Sequence, residues 1–259
     1  KITYQEAITR YGSDKPDLRI PLEIVEISDL VAQAEFKVFS HSASHPGHRV
    51  AALKLPKGCE KLTRRELDEY EKLAKAHGSK GLAYIRVNHL DNGIQGLQSP
   101  ILKFLTEEIL LSILKRVFAE PGDIIFFGAG EFLHTSEVLG ILRSQLAKDL
   151  NLYNSNWQPL WVIDFPLLEQ DKENQKWASM HHPFTSPKVS DITKLKEEPD
   201  KLLARSYDMV LNGSEIGGGS IRIHDYALQL EIFKLLGISE SKAKAEFGHL
   251  LEALEYGCP

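Results

Sequence analysis

The chain has 259 residues, 42% hydrophobic and 26% charged, which excludes a disordered, collagen-like or coiled-coil polymer. At about 150 residues per domain it holds one or two domains, and it is long enough to bury a core without staples. Lys plus Arg number 31 and Asp plus Glu 36, so the net charge is −5 and the basic surplus of a dedicated nucleic-acid binder is missing, although local basic faces stay open. The two cysteines, Cys59 and Cys258, make no disulfide framework and no CxxC, and read as reduced thiols. No apolar stretch approaches the ~20 residues of a bilayer span. The N-terminus, KITYQEAITRYG, has no apolar signal core, so a cytoplasmic protein without a membrane partner is expected. A chain that starts at Lys1 rather than Met reads as a piece of a longer one.

In chain order, Ile2, Tyr4, Ala7 and Ile8 give a short helical pattern stopped near Gly12, followed by a polar, proline-punctuated loop over 13–19. Residues 22–152 read as an α+β unit. Strands are expected at 36–39, 49–55 and 82–87, with a short buried one at 124–127. Thr63 caps a helix carrying Leu67, Tyr70, Leu73 and Ala74 that ends at Gly78. Ser99-Pro100 opens a long helix whose apolar residues Ile101, Leu105, Ile109, Ile113 and Val117 recur every four positions, and Thr135-Ser136 starts another. This alternation predicts a two-layer sheet with helices on one face. Residues 153–259 predict a hairpin of 160–165 with 177–180 about a polar turn at 169–176, and a charged surface helix over 191–204. A second hairpin, 206–212 with 220–224, flanks a glycine-rich turn, and helices follow at 228–236 and 239–256. The fold class is α+β.

Chemistry concentrates in two places. In Glu215-Ile216-Gly217-Gly218-Gly219-Ser220-Ile221-Arg222, glycines let backbone approach a ligand while Glu215 and Arg222 place both charges near one small site. The arginine suits a carboxylate and the glutamate suits a metal ion or a ribose hydroxyl. A flexible hairpin turn with ordinary flanking charges accounts for the same residues, and no P-loop is present. In His181-His182-Pro183-Phe184-Thr185, adjacent imidazoles on a strand face opposite sides and do not readily chelate one metal. One of them, protonated, could meet an anion; a plain turn before the prolines is the simpler reading. The charges of 13–19 read as a self-paired loop, and His41, His45 and His48, without an acidic or thiol partner, as solvated histidines.

Taken together, RYGSDKPDLR (10–19), PLWVIDFP (159–166), MHHPFTSPK (180–188), YDMVLNG (207–213), SEIGGGSIRIH (214–224) and FGHLLEALEYGCP (247–259) resemble the bacterial-type aspartyl-tRNA synthetases, in that family's order. RVAALKLP (49–56), GLAYIRVN (81–88), SPILKFL (99–105) and DIIFFGA (123–129) resemble the GAD domain that bacterial members insert into their catalytic domain. The resemblance implies three segments: 1–21 and 153–259 from an antiparallel-sheet class II catalytic domain, and 22–152 as the GAD insertion.

It further implies a ligase that joins L-aspartate to ATP with Mg2+ and transfers the aspartyl group to tRNA(Asp), with tRNA(Asn) left open, as a homodimer at full length. By motif match, His181 and His182 would serve the aspartate pocket and Arg222 would pair with the aspartate side chain. Glu215 would sit by ATP and its Mg2+, and Gly217, Gly218 and Gly219 would let the backbone close on the ligand. No residue is assigned to the chemical step itself. None of the three class II signature motifs is visible, so the piece alone is expected not to aminoacylate. A non-catalytic GAD-type module, as in a tRNA-dependent amidotransferase subunit, would explain 22–152 but not HHPFT or EIGGGSIR. An unrelated metal protein built on His41, His45 and His48 is the third reading.

Overall fold

The computed structural model describes every residue except Asn92, Lys172, Glu173, Gln175, residues 190–194, Lys196, Cys258 and Pro259. Strand β1 (Ile2–Thr3) leads into helix α1 (Tyr4–Tyr11), which stops at Gly12 with φ +69°. The chain divides into two units: Glu6–Gln158 with Asn212–Ser214, and Lys1–Gln5 with Pro159–Leu211 and Glu215–Pro259. Among the described residues no helix is long and apolar enough to cross a membrane.

The first unit is built on a five-stranded antiparallel sheet. Its order is β2 (Ile24–Glu26), β3 (His48–Leu55), β6 (Ile124–Glu131), β4 (Ala83–Val87) and β5 (Leu97–Gln98). The period of two in β3 and β6 sorts side chains to opposite faces. Ala51, Leu53, Leu55, Ile124 and Phe126 face one cluster, closed by Leu62 at the end of α4 (Gly58–Lys61), Leu67, Tyr70 and Ala74 of α5 (Arg64–Ala76) and Leu139, Leu142 and Leu146 of α7 (Phe132–Leu150). Val50, Ala52, Ile125 and Phe127 face a second, closed by Val31 of α2 (Ser28–Val31), Phe39 of α3 (Lys37–Ser44) and Leu110 and Ile113 of α6 (Glu107–Arg116). Both faces are covered, so the unit has three layers and not the predicted two. The near-continuous apolar runs of β3 and β6 are the sequence sign of a strand buried on both sides.

Other expectations are corrected too. Residues 36–39 are not a strand: Phe36 caps α3 and Phe39 lies one turn on, rings 4.8 Å apart, while the intervening Val38 is exposed. Apolar residues at i and i+3 with an exposed one between them fit a helix period. The long helix from Ser99-Pro100 is two pieces. A 3-10 turn (Leu102–Phe104) ends at extended Leu105, and Thr106 caps α6 afresh, its hydroxyl accepting from the Ile109 amide. Two glutamates in the first turn of α6 complement the helix dipole there. Helix α7 begins three residues before Thr135, with the Glu131 carboxylate accepting from the His134 amide. The capped helix at Thr63 forms as expected, with a full capping box to Glu66.

Helix α7 packs against the end of α1 through two glycines. A Cβ built on Gly140 would lie 2.8 Å from the carbonyl carbon and 2.9 Å from the Cα of Gly12. Backbone cannot yield as a side-chain tip can. Gly140→Ala is therefore expected to cost about 1–3 kcal/mol despite the ~1 kcal/mol that alanine brings to an open helix, read as a lower urea midpoint.

The second unit carries a four-stranded sheet ordered β1, β7 (Pro159–Ile163), β10 (Ser206–Leu211) and β11 (Ser214–Ser220). Strand β1 runs parallel to β7, and β10 antiparallel to it with Asp208 opposite Val162. The predicted partner of 160–165 is wrong: Trp177–Ser179 (β9) pairs with Leu168–Gln170 (β8). Of the helix expected over 191–204, residues 191–194 and 196 lie outside the described residues. Of its described residues Leu195 and Glu197 are helical, but its end is a 3-10 turn (Pro199–Lys201) and extended backbone, with Leu203 and Ala204 bridging Pro166 and Pro187. Helices α8 (Tyr226–Leu235) and α9 (Glu240–Tyr256) close the unit around Phe184, Phe233 and Phe247; the last two rings stack 5.1 Å apart.

Candidate functional site

The second predicted hairpin exists with a different register. Asn212 and Gly213, with φ of +53° and +83°, make the turn, and the three glycines lie inside β11. Asn-Gly is the residue pair that a two-residue turn with both φ values positive demands, a signal the glycine run obscured. The glycines answer to neighbours rather than to a turn. A Cβ on Gly218 would run into Asp208 Oδ1 and lie 3.3 Å from the Tyr207 carbonyl; one on Gly219 would meet the Tyr207 ring, and Gly217 faces open space. Gly218→Ala should displace the Asp208 carboxylate and cost about 1–3 kcal/mol, whereas Gly217→Ala should stay within about 0.5 kcal/mol, both read by urea unfolding.

The segment after β11 is tied to the two-histidine segment by backbone. Ser186 N–H donates to the Ile221 carbonyl at 2.9 Å, Ile223 N–H to the Phe184 carbonyl at 3.0 Å, and Thr185 bridges Arg222. Two motifs almost forty residues apart thus become neighbours. The His181 ring stands edge-on against Phe165, centroids 4.8 Å apart, with Nε2 3.9 Å from Asp208 Oδ1.

His182 is held more tightly. Its Nδ1 accepts from the Phe184 amide at 3.2 Å, with the Thr185 hydroxyl also at 3.2 Å, and its Nε2 is 3.3 Å from Ser220 Oγ. An acceptor at Nδ1 puts the proton of the neutral ring on Nε2. Burial, with the charges of Arg222 and His181 beside it, holds His182 below the ordinary histidine range, so the ring is neutral at pH 7. The protonated histidine suggested for an anion is therefore not His182. Arg222 is exposed and donates from Nη1 to Ser220 Oγ, leaving further guanidinium N–H groups for a ligand.

His181, His182, Ser220 and Arg222 are brought together with Asp208, which the sequence reading passed over. Asp208 is 6% exposed, on a strand where Val210 is also buried and Tyr207 is not. A carboxylate at an inward position of an alternating strand is the sign that could have found it. Glu215 lies exposed near the start of β11. Carboxylate oxygens are the donors Mg2+ prefers. Among the described residues no three His, Cys, Asp or Glu side chains are arranged as a metal site.

The other candidates separate from this cluster. Asp17 and Arg19 form a bidentate pair, 2.9 and 2.6 Å, with the Arg19 guanidinium over Tyr153, so the 13–19 loop does pair with itself. The rings of His41, His45 and His48 lie 4.1–6.4 Å apart, in the first unit, without forming a ligand set. Cys59 is a free thiol donating to the Asp123 carbonyl at 3.3 Å, and burial pushes its titration up; Cys258 is outside the described residues.

A family profile takes in the whole of this arrangement, the sheet that carries Asp208 and the two segments that bring the histidines and the arginine together. The profile of the class II tRNA synthetases for aspartate, lysine and asparagine covers residues 1–259, and the chain belongs to that family. It is 53% identical over 259 residues to the aspartate–tRNA(Asp/Asn) ligase of Legionella pneumophila strain Corby, and equally to those of strains Philadelphia 1 and Paris. Each match takes in all of this chain and 44% of the relative, so the chain spans less than half the length of these proteins.

Proposed function

We propose that the protein to which this chain belongs is an aspartate–tRNA ligase, activating L-aspartate with ATP and passing the aspartyl group to tRNA(Asp). The observation that carries the reading is the convergence of His181, His182 and Arg222 in a chain 53% identical throughout to enzymes of that name. The relatives are named for both tRNA(Asp) and tRNA(Asn), and we extend that pair of partners to this protein.

In this reading Arg222 takes the aspartate side-chain carboxylate, His181 lines the same pocket, and Glu215 stands toward ATP and its Mg2+, with Asp208 as a second carboxylate. When bound, Mg2+ offsets phosphate charge. The chain's own groups bind and orient: a guanidinium fork suits a carboxylate in two-point geometry and leaves an unpaired charge against the neutral amide of asparagine. Activation then rests on positioning and charge stabilisation. Residues 22–152 are the GAD insertion, and 1–21 and 153–259 belong to the catalytic domain of a cytoplasmic, dimeric enzyme.

The test is charging of tRNA(Asp) with radiolabelled aspartate. The full-length protein should charge it and the 259-residue chain alone should not. Full-length protein that charges tRNA with another amino acid instead would overturn the reading.

A further inference from the structure

We infer that Ser220 and His182 are positioning residues that hold the Arg222 guanidinium in place through one hydroxyl; the inference rests on Arg222 being the group that meets the aspartate side chain. Arg222 lies on exposed backbone beyond β11, and Ser220 is the one side chain among the described residues that its guanidinium bonds. An arginine side chain carries about 2 kcal/mol of rotamer entropy, so a fixed acceptor next to it lowers the cost of ordering it on a ligand.

That acceptor is itself fixed. The Phe184 amide at 3.2 Å from Nδ1 dictates the Nε2–H form of His182, and Nε2 points at Ser220 Oγ from 3.3 Å. Ser220 Oγ then receives two N–H donors, one from His182 and one from Arg222, which fills both lone pairs and leaves its own proton for a third partner. Donation thus runs from Phe184 N–H through His182 to Ser220 Oγ, where Arg222 donates from the other side, and the backbone bridge between Thr185 and Arg222 anchors the set. The residue pair His182 and Ser220 thus acts on the substrate through the arginine.

The experiment measures aspartate-dependent ATP–pyrophosphate exchange by the full-length protein. Ser220→Ala and His182→Ala should each raise KM for aspartate about tenfold, the scale of a lost hydrogen bond to a charged group, with KM for ATP within about twofold. Ser220→Thr, which keeps the hydroxyl, and His182→Gln, whose amide N–H stands in for Nε2–H, should recover most of the loss. In an Arg222→Leu background Ser220→Ala should add nothing. The inference falls if Ser220→Ala leaves KM for aspartate within twofold, if KM for ATP rises in step, or if Ser220→Thr is as impaired as Ser220→Ala. If Arg222→Leu is harmful and Ser220→Ala is not, only this inference fails. An Arg222→Leu enzyme with unchanged aspartate kinetics would remove the aspartate reading and this inference together.

Discussion

Arg222→Leu in the full-length protein is expected to lower kcat/KM for aspartate in pyrophosphate exchange on the order of 1,000-fold, about 4 kcal/mol. On the proposed reading the leucine removes the charge that meets the substrate carboxylate and leaves that carboxylate desolvated with no partner, and a missing partner costs more than a hydrogen bond gains. KM for ATP should change little, because in this account Glu215 and Asp208, not Arg222, stand toward the nucleotide. The fold should survive: Arg222 is exposed and its side chain bonds only Ser220 among the described residues. A circular dichroism spectrum and urea midpoint matching the parent would confirm that the loss is one of recognition. Arg222→Lys should recover little, since an ammonium cannot reproduce a two-point fork.

The second large effect is structural and lies in the first unit. Arg143 of α7 is 1% exposed and donates to three backbone carbonyls: Leu22 at 2.6 Å, Asp17 at 2.8 Å and Ile20 at 2.9 Å, with its guanidinium over the Tyr11 ring. Burial pushes its pKa down to about 10, which keeps the charge at pH 7. Arg143→Leu orphans the Leu22 and Ile20 carbonyls, while that of Asp17 keeps the Ile20 amide at 3.3 Å. At about 1–3 kcal/mol per orphaned group, less what is regained by no longer burying a charge, the expected loss is about 3 kcal/mol. It should appear as a lower urea midpoint. Arg143→Lys should fall between, since one ammonium cannot reach all three carbonyls.

Where local rules govern, the fold is legible from residue order. Thr63 with Glu66 writes a capping box, Gly12 stops α1, and β3 announces itself by its apolar run. What escapes depends on partners distant in sequence. Phe36 and Phe39 look like alternating strand residues until Phe127, 5.5 Å from Phe39, gives them a shared face. The period-four apolar run from Ile101 to Val117 hides the break at Leu105, which Thr106 and the two glutamates after it could have revealed. The carbonyls that Arg143 satisfies lie 121 to 126 positions away, and no local pattern points to them.

The candidate site divides in the same way. His181, His182, Glu215 and Arg222 are visible as motif residues, whereas their joining depends on the pairing of Thr185 with Arg222 across 37 positions. Asp208 and Ser220 lie inside the YDMVLNG and SEIGGGSIRIH segments, but residue order gives neither of them a role. Their roles emerge once Gly218 is seen to make room for one, and once His182 and Arg222 are seen to converge on the other.

The central claim is that this unit carries the recognition half of an aspartate-activating site. Its most direct test is the ratio of kcat/KM for aspartate to that for asparagine in pyrophosphate exchange by the full-length protein. A pocket built on a cation against a carboxylate predicts a ratio on the order of 1,000 or more, and a ratio within about tenfold would contradict it.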